Sequence, residues 1–211
     1  MPPATSHSPP TVFLLDDEPE MVKALTRLLR AKQFEVRGFT SVRAFLDACQ
    51  PQDIGCLVLD VAMPELDGLE LQRRLTLQGL LMPVIFLTGH GDIPMSVRAI
   101  KAGAADFLTK PVDATALVNA VHAALQTAQT RHRSNLEQAA LTARYATLTP
   151  REREVMEHVV AGQLNKQIAA DLGTGEHNIK LHRAHLMRKM GVEALADLVR
   201  AAERLGTGEN Q

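Results

Sequence analysis

The 211-residue sequence predicts an α/β fold with a five-stranded parallel sheet, followed by a long helix and an all-α region of four helices. Three observations support this prediction. In the first half, five short apolar runs alternate with segments of helical periodicity. A central segment rich in Ala, Leu, Gln and Arg contains neither Gly nor Pro, and four short helical patterns separated by glycines follow it. Repeated βα units imply parallel strands with helices on both faces of the sheet.

The elements of the first half follow from the apolar runs and the residues that flank them. Strands are predicted at Val12–Leu15, Glu35–Phe39, Cys56–Leu59, Val84–Leu87 and Ala105–Leu108. Helices are predicted at Glu18–Ala31, Ser41–Cys49, Gly68–Leu77 and Ile93–Ala102. Ser41 is the expected N-cap of the second helix, and Gly79 and Gly103 follow the ends of the third and fourth.

The second half is predicted to be entirely helical. Asp113–Arg144 forms one long helix, or two with a short break. Its apolar stripe, which either covers the sheet or forms a dimer seam, consists of Leu117, Val121, Ala124 and Ala128. Shorter helices are predicted at Pro150–Val160, Asn165–Leu172, Glu176–Met190 and Ala194–Leu205. We therefore expect tails at 1–10 and 207–211, a sheet domain at 11–125, a linker helix at 126–145 and a helical domain at 146–206.

Composition and charge exclude several classes of protein. Cys49 and Cys56 are the only cysteines and form no C-x-x-C motif, which argues against a disulfide scaffold or a cysteine zinc site. No apolar run approaches the ~18–20 residues that span a bilayer, and the amino terminus lacks the features of a secretory signal. We therefore expect a soluble, cytoplasmic protein without membrane contact. The net charge of −1 combines −3 over residues 1–125 with +2 over residues 126–211, which suggests two different functions.

Five polar side chains are predicted to meet at one edge of the sheet. Asp16 and Asp17 follow the first strand, and Asp60, Thr88 and Lys110 follow the third, fourth and fifth. Ligands of open parallel sheets bind beyond the carboxyl ends of the strands. Clustered carboxylates repel one another unless a cation is bound, and hard oxygen ligands suit Mg²⁺. Asp60 is then the expected nucleophile for a phosphoryl group, with Lys110 as a second cation and Thr88 as a hydroxyl donor.

Three alternatives to a phosphoacceptor site at this edge involve different chemistry. The carboxylates could be ordinary helix-capping or turn residues. A flavin phosphate is disfavoured because Asp16, Asp17 and Glu18 would repel an anion. An aspartate-nucleophile phosphatase of the haloacid-dehalogenase type normally places its nucleophile on the first strand and needs a cap or a larger core.

These residues also carry a family resemblance. Leu15-Asp16-Asp17-Glu18, Leu59-Asp60-Val61-Ala62-Met63-Pro64, Asp67-Gly68, Leu87-Thr88-Gly89 and Phe107-Leu108-Thr109-Lys110-Pro111 resemble the receiver domain of two-component response regulators. The resemblance covers residues 11–125 and implies a flavodoxin-like, doubly wound sheet of order 2-1-3-4-5.

The receiver resemblance also implies roles for individual residues. Asp60 is implied as the phosphoacceptor for a sensor histidine kinase. Asp17, Asp60 and the Ala62 carbonyl are implied as ligands of Mg²⁺ or Mn²⁺, with Asp16 in the outer shell. The resemblance further implies Thr88 and Phe107 as a switch pair, a role for Lys110 in phosphoryl transfer, and a cis peptide between Lys110 and Pro111.

The helical region has the outline of a helix-turn-helix. Gln167–Leu172 is followed by a glycine and then by Glu176–Met190. In the second helix Ile179, Leu186 and Met190 are predicted to face the core. The cations available for phosphate contact are Lys180, Arg183, Arg188 and Lys189.

Residues 146–206 resemble the LuxR-type (FixJ subgroup) DNA-binding domain. The motifs are Leu148-Thr149-Pro150-Arg151-Glu152-Arg153-Glu154-Val155, Asn165-Lys166-Gln167-Ile168-Ala169 and Ile179-Lys180-Leu181-His182-Arg183. The resemblance implies groove contacts from Lys180, Leu181 and Ala184, and contacts to the DNA backbone from Asn165, Lys166 and Arg183; Arg188 is a further candidate.

Together the resemblances imply a phosphorylation-switched transcription regulator. Its expected partners are a sensor histidine kinase, double-stranded promoter DNA, RNA polymerase and, on phosphorylation or DNA binding, a second copy of the chain. It is expected not to be an enzyme beyond its own phosphoryl transfer and slow autodephosphorylation. The alternative is an output domain that acts mainly through protein–protein contacts.

Overall fold

The computed structural model describes residues 9–63, 68–77, 79–80, 82–89 and 103–206. The chain divides into two compact units, residues 1–132 and 133–211. The second unit thus begins inside the segment predicted to be a linker helix. No helix within the described ranges combines the length and the apolar character needed to cross a membrane.

The first unit contains a five-stranded parallel sheet. Its strands are β1 (Thr11–Leu15), β2 (Glu35–Phe39), β3 (Gly55–Asp60), β4 (Val84–Thr88) and β5 (Asp106–Thr109). Their order is β2-β1-β3-β4-β5, which confirms the doubly wound topology. Each predicted strand is present, with ends shifted by no more than one residue.

Three helices of the first unit connect these strands. They are α1 (Pro19–Ala31), α2 (Val42–Ala48) and α3 (Gly68–Leu77). The Ser41 hydroxyl accepts the N–H of Ala44 at 3.2 Å, which confirms Ser41 as the N-cap of α2. The helix predicted over Ile93–Ala102 lies outside the described residues, as do Pro64 and Asp67 of the receiver motif.

The sheet is covered on both faces by apolar side chains. One core cluster includes Phe13, Phe45 and Phe86, and the other, on the opposite face, includes Leu14 and Leu29. All residues of β3 and β4 are buried, as expected for the central part of a parallel sheet. This burial holds the carboxyl ends of β3 and β4 in fixed positions.

The long helix α4 spans Ala114–Ala146, which confirms one continuous helix in place of two. Leu117, Val121 and Ala124 are buried in the same cluster as β1, so this part of the apolar stripe covers the sheet and is not a free dimer seam. Ala128, the last residue of the stripe, is also buried.

The second unit continues from α4 into four further helices. They are α5 (Pro150–Val160), α6 (Asn165–Asp171), α7 (Glu176–Met190) and α8 (Leu195–Leu205). Val155, Ile168, Ile179, Leu186 and Leu198 have no exposed surface and belong to the common core of these helices. Leu141 and Tyr145 of α4 pack against that core, so the end of the long helix is part of the second unit.

Candidate functional site

Three carboxylates lie together at the carboxyl edge of the sheet. Asp16 and Asp17 directly follow β1, and Asp60 is the last residue of β3. One ligand oxygen from each lies within 4.8 Å of the others. Asp16 and Asp60 are buried, whereas Asp17 is exposed. The structure therefore brings these three predicted residues to one place.

Lys110 neutralises part of this charge. Its Nζ lies 2.7 Å from Asp16 Oδ2 and 3.1 Å from Asp60 Oδ2, and only 14% of its side chain is exposed. Desolvation by burial favours the neutral amine, but the hydrogen bonds and charges of Asp16 and Asp60 outweigh it and raise the pKa of Lys110 above its usual value. Lys110 is therefore a permanent cation between the two buried carboxylates.

The remaining oxygens decide which carboxylates are available to a metal ion. Asp16 uses both of its oxygens, because Oδ1 accepts the N–H of Glu18 at 2.9 Å and Oδ2 accepts Lys110. Asp17 is open to solvent, and Asp60 Oδ1 accepts the N–H of Ala62 at 3.4 Å. Oxygen donors with access to water are what Mg²⁺ requires. The pocket of Asp16, Asp17 and Asp60 is thus compatible with the binding of a divalent metal.

The other predicted residues of this pocket are close to it in the fold. Thr88 is buried at the end of β4, and its carbonyl accepts the N–H of Lys110 at 2.6 Å. Phe107 of β5 is half-buried against the core cluster that contains Phe86, and its backbone pairs with that residue in the sheet. The peptide between Lys110 and Pro111 is cis, as the resemblance implied.

A second candidate surface lies on helix α7 in the other unit. Ile179, Leu186 and Met190 are fully buried, as predicted. The opposite side is exposed and consists of Lys180, Leu181, Ala184, His185 and Arg188. Lys180 is 63% exposed and pairs with Glu176 at 3.2 Å, a weak exposed pair that is easily exchanged for a phosphate. The surface combines cations with apolar Leu181, which is 47% exposed.

The predicted backbone contacts lie beside this surface. Arg183 Nη1 donates to Asn165 Oδ1 at 3.0 Å, so α6 and α7 present these two side chains together. Lys166 is exposed at the start of α6. Lys189 differs from the sequence expectation: its Nζ lies 2.6 Å from the buried Glu152 carboxylate and donates to the Thr147 carbonyl. Lys189 is therefore a structural cation and is not available for phosphate.

The internal contacts between α5 and the end of α7 were not predicted from the sequence. Thr149 and Glu152 form a capping box at the start of α5, and the Thr-x-x-Glu spacing was the signal that could have revealed it. Burial disfavours the charged form of Glu152, but hydrogen bonds from Lys189 and Thr149 outweigh it and lower the pKa. The pairing with Lys189, 37 residues away, leaves no sequence signal.

Comparison with known families finds one match in each half of the chain. Residues 12–122 match the response regulator receiver domain, and residues 146–202 match the bacterial regulatory proteins of the luxR family. The chain is a two-component response regulator with a LuxR-type output domain. Members of this family are transcription regulators and not classical enzymes. A receiver and a LuxR-type domain imply a kinase partner and DNA binding for this response regulator.

Individual relatives share both domains. Nodulation protein W of Bradyrhizobium diazoefficiens is 45% identical over 199 residues, which are 94% of this chain and 88% of the relative. Response regulator protein TodT of Pseudomonas putida is 45% identical over 195 residues, 92% of this chain and 86% of the relative. Among solved structures, the response regulator StyR has a TM-score of 0.86 at 43% identity, covering 93% of this chain and all 100% of its own.

Full-length FixJ from B. japonicum provides a second structural comparison. Its TM-score is 0.57 at 40% identity, and the match covers 94% of this chain and 98% of that one.

Proposed function

We propose that Asp60 of this response regulator accepts the phosphoryl group from a sensor histidine kinase and that this modification controls DNA binding by α7. The observation that carries the first part is the position of Lys110. One ammonium contacts Asp16 and Asp60 at the same time, at 2.7 and 3.1 Å, within a cluster of three carboxylates. This arrangement supports Asp60 as the nucleophile, because a cation contacts it at the edge of the sheet where ligands of this fold class bind.

In the proposed reaction a carboxylate oxygen of Asp60 attacks the phosphorus of the donor phosphohistidine. The O–P bond forms as the N–P bond breaks, and the histidine leaves as neutral imidazole because its other ring nitrogen carries a proton. Once Asp60 carries the phosphoryl group, the Lys110 ammonium is close enough to contact one phosphoryl oxygen. The Thr88 hydroxyl donates a hydrogen bond to another. Mg²⁺ or Mn²⁺, held by Asp17, Asp60 and the Ala62 carbonyl with Asp16 in the outer shell, supplies further positive charge when bound.

The phosphoacceptor is tested by labelling. Asp60→Asn keeps the size of the side chain but removes the nucleophile, so acid-labile label from acetyl phosphate in the presence of Mg²⁺ should disappear. Asp47→Asn is the matched control, because Asp47 is an exposed carboxylate on α2. Stoichiometric label on the Asp60 variant would refute the assignment. Slow loss of label from the wild type at neutral pH would support the proposed autodephosphorylation.

We also propose that α7 binds double-stranded promoter DNA. The supporting observation is its exposed surface, which Leu181 shares with Lys180, Ala184 and Arg188. Arg183 of the same helix donates to Asn165 of the adjoining helix α6, which also carries Lys166. Side chains near the start of a recognition helix contact bases, and Leu181 can contact a thymine methyl. Surrounding cations contact phosphates and thereby fix the position of the helix.

DNA binding is tested by the salt dependence of affinity for a selected and a scrambled duplex. Lys180→Ala should cost about 1–3 kcal/mol on the selected duplex if Lys180 contacts a base, and should reduce the salt slope by about one if it contacts only phosphate. Arg183→Ala should lower the affinity for the selected duplex and for the scrambled duplex by the same factor. Lys23→Ala, on the exposed surface of α1, is the control for loss of one charge. An affinity unchanged by the Lys180 and Arg183 variants would favour a protein-binding output domain instead.

The proposed switch involves further partners. The phosphoryl group adds about −1.5 to −2 charge and biases a bistable element. We propose that the phosphorylated form dimerises, occupies paired half-sites and contacts RNA polymerase, and that it works in the cytoplasm, where promoter DNA is located. The mass in solution before and after acetyl phosphate tests dimerisation: a monomer in both conditions would contradict it.

A further inference from the structure

We infer that Arg144, in the last turn of α4, is a positioning residue that fixes the direction of the recognition helix α7. The inference rests on the proposed DNA binding by α7 and adds to it a device that controls the same surface. It is carried by contacts between the end of α4, the start of α5 and the end of α7, all within the second unit.

The first contact is a hydrogen bond to the end of the recognition helix. Arg144 Nη1 donates to the Met190 carbonyl at 3.1 Å. The last four carbonyls of a helix lack partners within the helix. The N–H groups of Gly191 and Val192 satisfy those of Arg188 and Met187. Arg144 satisfies the Met190 carbonyl and places a positive charge at the negative end of the helix dipole.

A second contact runs in the opposite direction. Lys189, in the last turn of α7, donates to the Thr147 carbonyl at 3.1 Å and to the Glu152 carboxylate at 2.6 Å. Arg144, Thr147, Glu152, Lys189 and Met190 together form what we call the junction clamp. Each side of the junction donates to the other, so α7 cannot tilt about its carboxyl end without lengthening one of these hydrogen bonds.

The clamp acts on DNA contacts through the length of the helix. Lys180 precedes Met190 by ten residues, or about 15 Å along the axis, so a tilt of ~5° at Met190 displaces Lys180 by ~1.3 Å. That displacement exceeds the few tenths of an ångström that a base-reading hydrogen bond tolerates. The buried Ile179 and Leu186 hold α7 against the core, but apolar packing is not directional. The Arg183–Asn165 hydrogen bond restrains α7 on the side of α6, and the clamp adds a directional restraint at the carboxyl end of α7.

A substitution at Gly191 can also break the hydrogen bond between Arg144 and the Met190 carbonyl. It has φ 67° directly after α7, and a Cβ there would lie 2.7 Å from Arg144 Nη1. Asn tolerates this left-handed conformation, so Gly191→Asn forces the guanidinium away from Met190 without removing a charge.

The test uses the full chain treated with acetyl phosphate and Mg²⁺, with a duplex that the wild type selects from a random-sequence pool and a scrambled duplex. Arg144→Met should weaken binding to the selected duplex about tenfold more than to the scrambled one, corresponding to ~1.4 kcal/mol. Arg144→Lys, which can still donate to Met190, should restore most of the difference. Arg133→Met removes an exposed arginine of the same helix. It should lower the affinity for the selected and for the scrambled duplex by the same factor.

Gly191→Asn should reproduce the loss of discrimination, and combining it with Arg144→Met should add nothing further. If Arg144→Met is unfolded at the assay temperature, the Gly191→Asn variant alone tests the inference. Equal effects of Arg144→Met and Arg133→Met, or a Gly191→Asn protein that discriminates like the wild type, would overturn the inference. A wild type that selects no duplex would instead overturn the proposed DNA binding.

Discussion

Replacing Lys189 by Met should destabilise the second unit by ~2 kcal/mol. Removing one partner of a fully buried ion pair costs about 3–5 kcal/mol. The cost is smaller here for two reasons. The Lys189 side chain is 29% exposed, and Glu152, which is 4% exposed, keeps its hydrogen bond from the Thr149 N–H at 2.8 Å. At about 4–8 °C per kcal/mol for a domain of this size, the melting temperature should fall by roughly 10 °C.

Tyr145 makes this measurement specific to one unit. It is the only tyrosine of a chain without tryptophan, and it packs against the core of the second unit, so thermal unfolding followed by tyrosine fluorescence reports that unit. Lys166→Met serves as the control, because Lys166 is an exposed lysine in the same unit. Its melting temperature should stay within about 2–4 °C of the wild type, since exposed substitutions change stability by about 0.5 kcal/mol or less.

The pH dependence separates the ion pair from the packing of the lysine stem. Glu152 has its pKa lowered in the folded state, so its contribution is complete above the unfolded pKa of about 4.3 and is lost as the pH falls through the folded value. The stability gap between wild type and Lys189→Met should therefore be constant near neutral pH and close under acid conditions. A gap of the same size at every pH would refute the electrostatic reasoning and assign the loss to packing.

Three further predictions concern the first unit and the long helix. Asp17→Ala should weaken Mg²⁺ affinity while leaving the fold intact, since Asp17 is exposed; unchanged affinity on titration would exclude it as a ligand. Burial raises the pKa of Cys49 to about 11 and of Cys56 to about 12, so neither thiol should react with a disulfide reagent at pH 8 until denaturant is added. Ala128→Pro, which interrupts α4, should abolish the effect of phosphorylation on DNA affinity, and a duplex-binding assay showing the usual increase would contradict this.

The carboxylate pocket shows how far sequence alone reaches. Asp16, Asp17 and Asp60 were predicted to meet because strands of a parallel sheet end at a common edge, and they lie within 4.8 Å of one another. The position of a side chain at a strand end is a local property, so the topology is sufficient to bring such residues together. Which oxygen each partner uses is not local. That Asp16 has both oxygens occupied depends on the reach of Lys110.

In helix α7, the sequence predicts which residues are buried and which are exposed, but not which cation is held by an ion pair. Periodicity alone assigned Ile179, Leu186 and Met190 to the core and Lys180 to the exposed side, because a regular helix fixes the direction of each residue from its spacing. Periodicity could not tell that Lys189 is held by Glu152 while Arg188 is exposed. Two adjacent cations with the same chemistry differ only in what lies across from them.

The sheet, the long helix, the outline of the helix-turn-helix and the acidic edge could be predicted from the sequence, because periodicity, caps and strand ends are local signals. Two features could not be predicted in this way: α4 ends against the core of the second unit, and Arg144 donates to the Met190 carbonyl. Contacts between residues 46 positions apart depend on how whole helices pack, and a packing arrangement is a collective property of many side chains that no short motif encodes.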